Sequence, residues 1–270
     1  MTDEPDGSDT DSADPKFVTA LARGLGLLSC FRKNEVELSN HAFVERTGLP
    51  KATVTRMTYT LCKLGYLVQS EPGGLYRLGP GVLRLGFGAL ASTDLKDRAE
   101  VELRDLCAGD NPNVAAAIAE RHDLSAVYLV THRAPSAILT AFYLGAQVPL
   151  FSTSIGRALL MGLTENKREE LLARAFDRAA SDEERARMTH GLARAKADYA
   201  AYGFCTSFSE WRKEINGIAA PIVPVEGDRV FALNVGGVAF LNSAEELMET
   251  RAQRLLRAAH NLSLRPMDND

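Results

Sequence analysis

Residues 38–67 read LSNHAFVERTGLPKATVTRMTYTLCKLGYL, and this stretch decides the fold of the N-terminal part. Ser39 is a natural N-cap, and Phe43 and Val44 supply the buried side of a short helix ending near Thr47. Gly48 permits the left-handed conformation of a tight turn, and Pro50 stands where a new helix can start. In that second helix Val54, Met57, Leu61 and Leu64 make an apolar stripe, and Gly65 ends it. Lys51, Ala52, Thr55, Arg56, Tyr59 and Lys63 fall on the opposite side. Immediately after, YLVQSEPGGLYRLG reads as strand, turn at Gly73 and Gly74, strand. Two short helices about a glycine turn, the second with a basic, hydroxyl-rich outer face, describe a helix-turn-helix, and the hairpin is its wing.

Working outward, Val18, Leu21, Leu25, Leu28 and Phe31 recur at three and four, which predicts an amphipathic helix before the motif. Gly24 and Gly26 follow no strand and have no third glycine in register, so helix–helix close approach explains them better than a dinucleotide loop. Residues 1–15 carry Asp3, Glu4, Asp6, Asp9, Asp11 and Asp14 with no base and little to bury, which predicts a disordered acidic tail. Residues 16–79 carry nine Lys or Arg against four Glu, a balance of +5 inside a chain of net charge −4. Positive charge gathered in one block suits a module that displaces counterions from phosphates.

Past the wing, Val82, Leu85 and Leu90 continue a helical spacing as a linker helix. The segments VAAAIAER, AVYLVTHR and AILTAFYLG then read as strands. Helices are expected at about 153–163, 165–178 and 182–202, strands at 218–225 and 229–236, and a last amphipathic helix from Leu247 to Leu264. Strands and helices out of strict alternation predict an α+β domain with a largely antiparallel sheet. The domains expected are a winged helix-turn-helix at 16–80, a linker helix at 81–92 and an effector-binding domain at 93–264. A short tail at 265–270 closes the chain. No apolar run approaches the roughly 18 residues a bilayer span needs, and the polar, acidic N-terminus argues against a signal peptide. Cys30, Cys62, Cys107 and Cys205 lie far apart, as expected of reduced thiols in a cytoplasmic protein. His41, His122, His132, His190 and His260 show no metal-ligand spacing, and no cofactor is implied.

The motif TGLPKATVTRMTYTLCKLGYL, followed by LYRLGP and VLRLG, closely resembles the IclR family of bacterial transcriptional regulators. The C-terminal half keeps the likeness in VPLFSTSIGRALLMG, GFCTSFSEWRKEINGIAAPI and ALNVGG, so that it covers roughly residues 17–264. FVTALARGLGLL and SFSEW look nearest to a subgroup linked to the catabolism of aromatic acids and other carboxylates. The resemblance implies a GAF- or profilin-like effector domain, an operator of double-stranded DNA, and homodimers that can pair into homotetramers. It also aligns Ser154, Ile155, Ser207, Gly217, Asn234 and Gly236 with positions that bound a small organic acid. Two departures stand out: Phe43 within His41-Ala42-Phe43-Val44, and the bulky Trp211 and Arg212.

Within this motif Arg56 lies about one turn into the recognition helix, where arginine can pair bidentately with guanine. Lys51, Thr53 and Thr55 are expected on phosphates, beside Ala52 and Tyr59 on the same helix. Arg77 of the wing either meets a phosphate or covers the hairpin. In the second domain Ser152, Thr153, Ser154, Ile155 and Gly156 open a helix whose free N–H groups and dipole favour an anion. Simple N-capping needs only one of the three hydroxyls. Phe142, Leu144, Val148, Leu150 and Phe151 are expected to wall the rest of the ligand. Glu210, Trp211 and Arg212 read either as a ligand-facing cluster or as a packed corner with a salt bridge. Cys205 reads as a buried structural thiol rather than a nucleophile. A ligand-responsive DNA-binding regulator of catabolic genes is therefore expected, without catalytic or metal residues. The rival readings are an enzyme acting on a small carboxylate and a winged helix serving protein interaction.

Overall fold

The computed structural model describes residues 15–32, 35–70, 74–91, 95–134, 142–224 and 229–264, except the side chains of 89–91 and 95–97. The acidic tail up to residue 14, Gly73 of the wing turn, residues 137–141 and the tail 265–270 lie outside them. The chain divides into two compact units, residues 1–92 and 93–270.

The first unit runs α1 (Thr19–Leu28), α2 (Asn40–Thr47), α3 (Lys51–Lys63), β1 (Leu67–Ser70), β2 (Leu75–Leu78) and α4 (Pro80–Ala91). Local chemistry sets the boundaries. The Ser39 hydroxyl accepts from the Ala42 amide at 3.1 Å, and Gly48 closes α2 at φ 67°, a conformation that glycine adopts without strain. The hairpin pairs Leu67 with Leu78 and Ser70 with Leu75, and Leu38 bridges to Tyr76 as a short third rung. Phe43 is fully buried, edge-on to Phe31 and tilted against Tyr76, with Leu27, Leu38, Val54, Leu61 and Leu67 around them.

Two stripes differ from expectation. On α1 the buried residue is Leu27, whereas Val18, Leu21 and Leu25 are exposed, Leu21 by 62%. Of the expected apolar face, Leu28 and Phe31 pack on the core, while among the described residues Val18, Leu21 and Leu25 stay uncovered. On α3 Val54 and Leu61 are buried as expected, but Thr58, whose hydroxyl donates to the Thr55 carbonyl, joins them and Leu64 is exposed.

The second unit begins with α5 (Leu95–Cys107), followed by β3 (Val114–His122), β4 (Ser125–Arg133), β5 (Gln147–Pro149), α6 (Ser154–Met161), α7 (Glu165–Asp177) and α8 (Asp182–Tyr202). It ends with β6 (Cys205–Phe208), β7 (Ile215–Ile222), β8 (Phe231–Val238), α9 (Ala244–Thr250) and α10 (Ala252–Ser263). Six antiparallel strands run in the order β5-β4-β3-β8-β7-β6. Period-two alternation sorts the strands onto two faces. Ile118, Ile218, Ile222, Leu233 and Val235 pack on α5, α9 and α10. Ala115, Ala117, Ala119, Ala219 and Cys205 form a floor of small side chains under α6, α7 and α8. The architecture is α+β, as its sequence implies.

Residues 142–145 form no strand, and the fifth strand is instead the three-residue β5. The expected last helix breaks at Arg251, which is buried and donates to the Leu106 and Ala108 carbonyls. Satisfying those carbonyls at the end of α5 holds the break in place.

Candidate functional site

The two units present separate sites. On α3 the exposed side chains are Lys51, Ala52, Thr55, Arg56, Tyr59, Thr60 and Lys63, so the face opposite the Val54–Thr58–Leu61 core is polar and basic. Lys63 sits over the Tyr59 ring at 5.5 Å. The Thr55 hydroxyl donates to the Lys51 carbonyl at 2.9 Å and lies 3.5 Å from the Asn40 amide, so what it offers outward is chiefly its methyl group. Thr53 is half-buried on the side toward α1. Pro50 provides no side-chain cap, leaving the first-turn N–H groups of α3 to an outside acceptor such as phosphate. Arg77 is exposed on β2, opposite Val68.

In the second unit a cavity of about 20 Å³ lies between the small-residue face of the sheet and the start of α6. Ser154, Ile155, Ser207, Trp211, Gly217 and Asn234 line it together. Gly217 lets α6 approach, since a Cβ there would stand 3.1 Å from the Ser154 hydroxyl oxygen. Thr153 is the cap of α6, accepting from the Gly156 amide at 3.1 Å. Ser207 donates to the Ser152 carbonyl at 2.8 Å and ties β6 to the loop before α6.

Three of the expected ligand residues lie elsewhere. Gly156 packs against the backbone of Leu150, Gly236 against that of Asn216, and the Glu210 carboxylate is held by Arg157. Of the expected apolar wall only Phe142 lines the cavity; Leu144 is exposed, and Val148, Leu150 and Phe151 belong to the core beneath. The sequence reading missed Tyr128, Ile215 and Asn216. Tyr128 was recoverable from the alternation in AVYLV, which turns it inward beside Ala126.

Arg157, 2% exposed, anchors this corner. Its guanidinium donates to the Phe151 carbonyl at 2.9 Å, to the Thr206 carbonyl at 2.7 Å and to both carboxylate oxygens of Glu210. Burial pushes the Glu210 carboxyl up, but the Arg157 hydrogen bonds and charge, with Arg194 and His190 adding to them, hold it below the usual value. Glu210 therefore pairs with Arg157, while the Arg212 guanidinium stacks over Trp211 at 4.4 Å. The Cys205 thiol is fully buried; burial and the nearby Asp198 push its pKa far up, so it is no nucleophile. Among the described residues no cluster of His, Cys, Asp or Glu could hold a metal ion, and no helix is long and apolar enough to cross a membrane.

A winged helix with a polar recognition face, joined to a domain whose sheet and α6 border a small cavity of mixed apolar and polar lining, defines a DNA-binding regulator with an effector-binding domain. The IclR helix-turn-helix domain matches residues 20–71 and the bacterial transcriptional regulator IclR C-terminal domain matches residues 87–264. The chain belongs to the IclR family of transcriptional regulators. It is 30% identical to the Pca regulon regulatory protein of Pseudomonas putida, over 93% of this chain and 85% of that one. An IclR family regulator from Brucella abortus has the same fold at 37% identity, with a TM-score of 0.83 over 95% of each chain. An IclR homologue from Microbacterium hydrocarbonoxydans, solved in complex with 4-hydroxybenzoate, shares the fold at 21% identity, with a TM-score of 0.68 over 90% of this chain and 97% of that one.

Proposed function

We propose that this regulator controls catabolic genes in the cytoplasm and responds to a small carboxylate, aromatic or short-chain, bound in the cavity at the start of α6. One observation carries the assignment of this cavity as a ligand site: Asn234, 3% exposed, has its side-chain oxygen buried there without a hydrogen-bond partner. A buried polar atom left unsatisfied costs free energy that a ligand can return. The first-turn N–H groups of α6 and the Ser154 hydroxyl supply donors for a carboxylate, whose burial is costly unless such bonds replace its water. The homologue bound to 4-hydroxybenzoate favours an aromatic acid.

A cavity of about 20 Å³ holds roughly one water molecule, so an organic acid requires its walls to move. Trp211 lines it and is the sole tryptophan of the chain. Effector binding should therefore change intrinsic fluorescence directly. In such titrations Ser154→Ala weakens carboxylate binding several-fold, and Ser154→Phe abolishes it while the chain keeps its wild-type circular dichroism. If both variants bind the preferred acid normally, or if that ligand proves to be a cation, the assignment of the α6 start is wrong.

On DNA the protein acts as a dimer on a palindromic operator, because a two-fold pair presents two identical recognition helices. Leu21 and Leu25 of α1, Leu64 and Leu85 line one apolar groove of about 580 Å³, and Leu83 and Phe87 extend the exposed apolar surface along α4. A second copy is the occupant that such a surface fits. Footprinting tests this together with sedimentation: a monomer protecting a single asymmetric site contradicts it. The enzyme reading has no nucleophile–base pair behind it among the described residues, and assaying the bound acid for turnover checks it.

A further inference from the structure

The polar end of the cavity formed by Tyr128 and Asn234 is unlike its α6 end. Tyr128, on β4, is buried and stacked on Phe142 with ring centroids 5.6 Å apart. Asn234 stands on β8, with β3 between the two strands, and its side chain shares the cavity with the phenol. Both residues line the cavity, and the Asn234 oxygen has no partner.

The hydrogen-bonding capacity of this pair is fixed by its chemistry. If the Asn234 amide N–H donates to the phenol oxygen, the phenol O–H remains as a donor and the amide oxygen as an acceptor. If the amide is turned over, the phenol donates to the amide oxygen, leaving an amide N–H as donor and the phenol oxygen as acceptor. In either orientation the pair keeps at least one donor and one acceptor for a ligand, the second amide N–H adding a further donor. A carboxylate has only acceptors and would set an oxygen against whichever acceptor is left free. A hydroxyl carries one donor and two acceptor lone pairs and satisfies both.

We propose that the effector carries a hydroxyl group as well as its acid, and that Tyr128 and Asn234 read that hydroxyl. The proposal rests on the cavity being the effector site, and it makes the Tyr128–Asn234 pair the specificity determinant there. Burial sharpens the discrimination. A ligand lacking the hydroxyl leaves the pair unsatisfied in a dry site, which is how hydrogen-bonding pockets reject analogues that differ by one oxygen. A burial-driven rise in the Tyr128 pKa keeps the phenol protonated across the physiological range, so the donor is not lost to ionisation.

The test is a titration of the full chain with matched acids, followed by calorimetry and Trp211 fluorescence. Benzoate is compared with 3- and 4-hydroxybenzoate, and propionate with lactate. In whichever series binds, a hydroxylated acid should bind about tenfold or more tighter than its parent. Tyr128→Phe and Asn234→Ala should each shrink that preference to a few-fold, read as the ratio of the two acids' affinities within each variant. A parent acid binding as tightly as its hydroxylated partner overturns the hydroxyl reading and leaves the effector site standing. A preference that survives both substitutions also overturns it, because the hydroxyl is then read by other groups. If none of the five acids binds the wild-type chain, the carboxylate-effector reading itself fails and this inference with it. The wild-type comparison stands even if either variant fails to fold.

Discussion

Arg157→Met is expected to destabilise the unit formed by residues 93–270 by about 3–5 kcal/mol, the usual cost of breaking a buried ion pair by removing one partner. Methionine keeps most of the volume, so the loss is one of charge and hydrogen bonds rather than of packing. The Phe151 and Thr206 carbonyls lose their guanidinium donors, and Glu210, its side chain 29% exposed, is left without its cation. For a unit of this size the melting midpoint should fall by roughly 6–20 °C. Arg157→Met with Glu210→Gln should recover part of the loss, because the stranded charge is gone while the two carbonyls remain unpaired.

The pH dependence has a definite sign. In the wild-type chain Glu210 is held below its ordinary carboxylate pKa, so its contribution is fully present above the unfolded value and is lost as pH falls through the lower folded value. Without Arg157, burial acts with little to oppose it, and protonation relieves the variant at acid pH. The gap between wild type and Arg157→Met should thus be largest near neutrality and narrow below about pH 4.5, close to the ordinary value for a glutamate. Denaturant unfolding at pH 7 and pH 4 measures both gaps, and a gap independent of pH means that the Glu210 charge is not what the variant strands.

Why Arg157 escaped the sequence reading is physical. Its segment SIGRALLM presents one cation among apolar residues, and its partners Thr206 and Glu210 are 49 and 53 residues away. No local pattern reports so long-range a pairing. The helix-turn-helix is the opposite case: Ser39, Gly48 and Gly65 are punctuation whose effect is exerted within a few residues, and the chain obeys it. Between these extremes lie the stripes. The apolar spacing on α1 reveals a helix correctly, yet not which side is covered, because Leu27 and Leu28 pack on this unit's core while Leu21 and Leu25 remain exposed. The cavity was legible at α6, whose capping hydroxyls are a local signal. It was legible only in part at Tyr128, which alternation turns inward but which only the strand register brings to the same face as Asn234.

The recognition helix yields the other large expected effect. Arg56→Ala should weaken binding to the true operator by about 1–3 kcal/mol and relax discrimination at one base position in each half-site. Arg56 is exposed on the face of α3 that carries Thr55 and Tyr59, one turn beyond the helix start, where a guanidinium can reach a guanine edge. Lys51 stands at the first helical position beside N–H groups that no side chain caps, a geometry suited to phosphate rather than to bases. Lys51→Ala should accordingly weaken specific and non-specific DNA alike, lowering the slope of log affinity against log salt by about one. Both residues sit on the solvent side, away from the Phe43 core, so neither substitution should shift the melting temperature. Loss of affinity without loss of stability is therefore part of the expected result. Binding isotherms on operator and scrambled DNA at several salt concentrations separate the two roles. Wild-type affinity in both variants would remove α3 from the DNA interface, and an Arg56→Ala defect equal on operator and scrambled DNA would reassign Arg56 from base reading to phosphate.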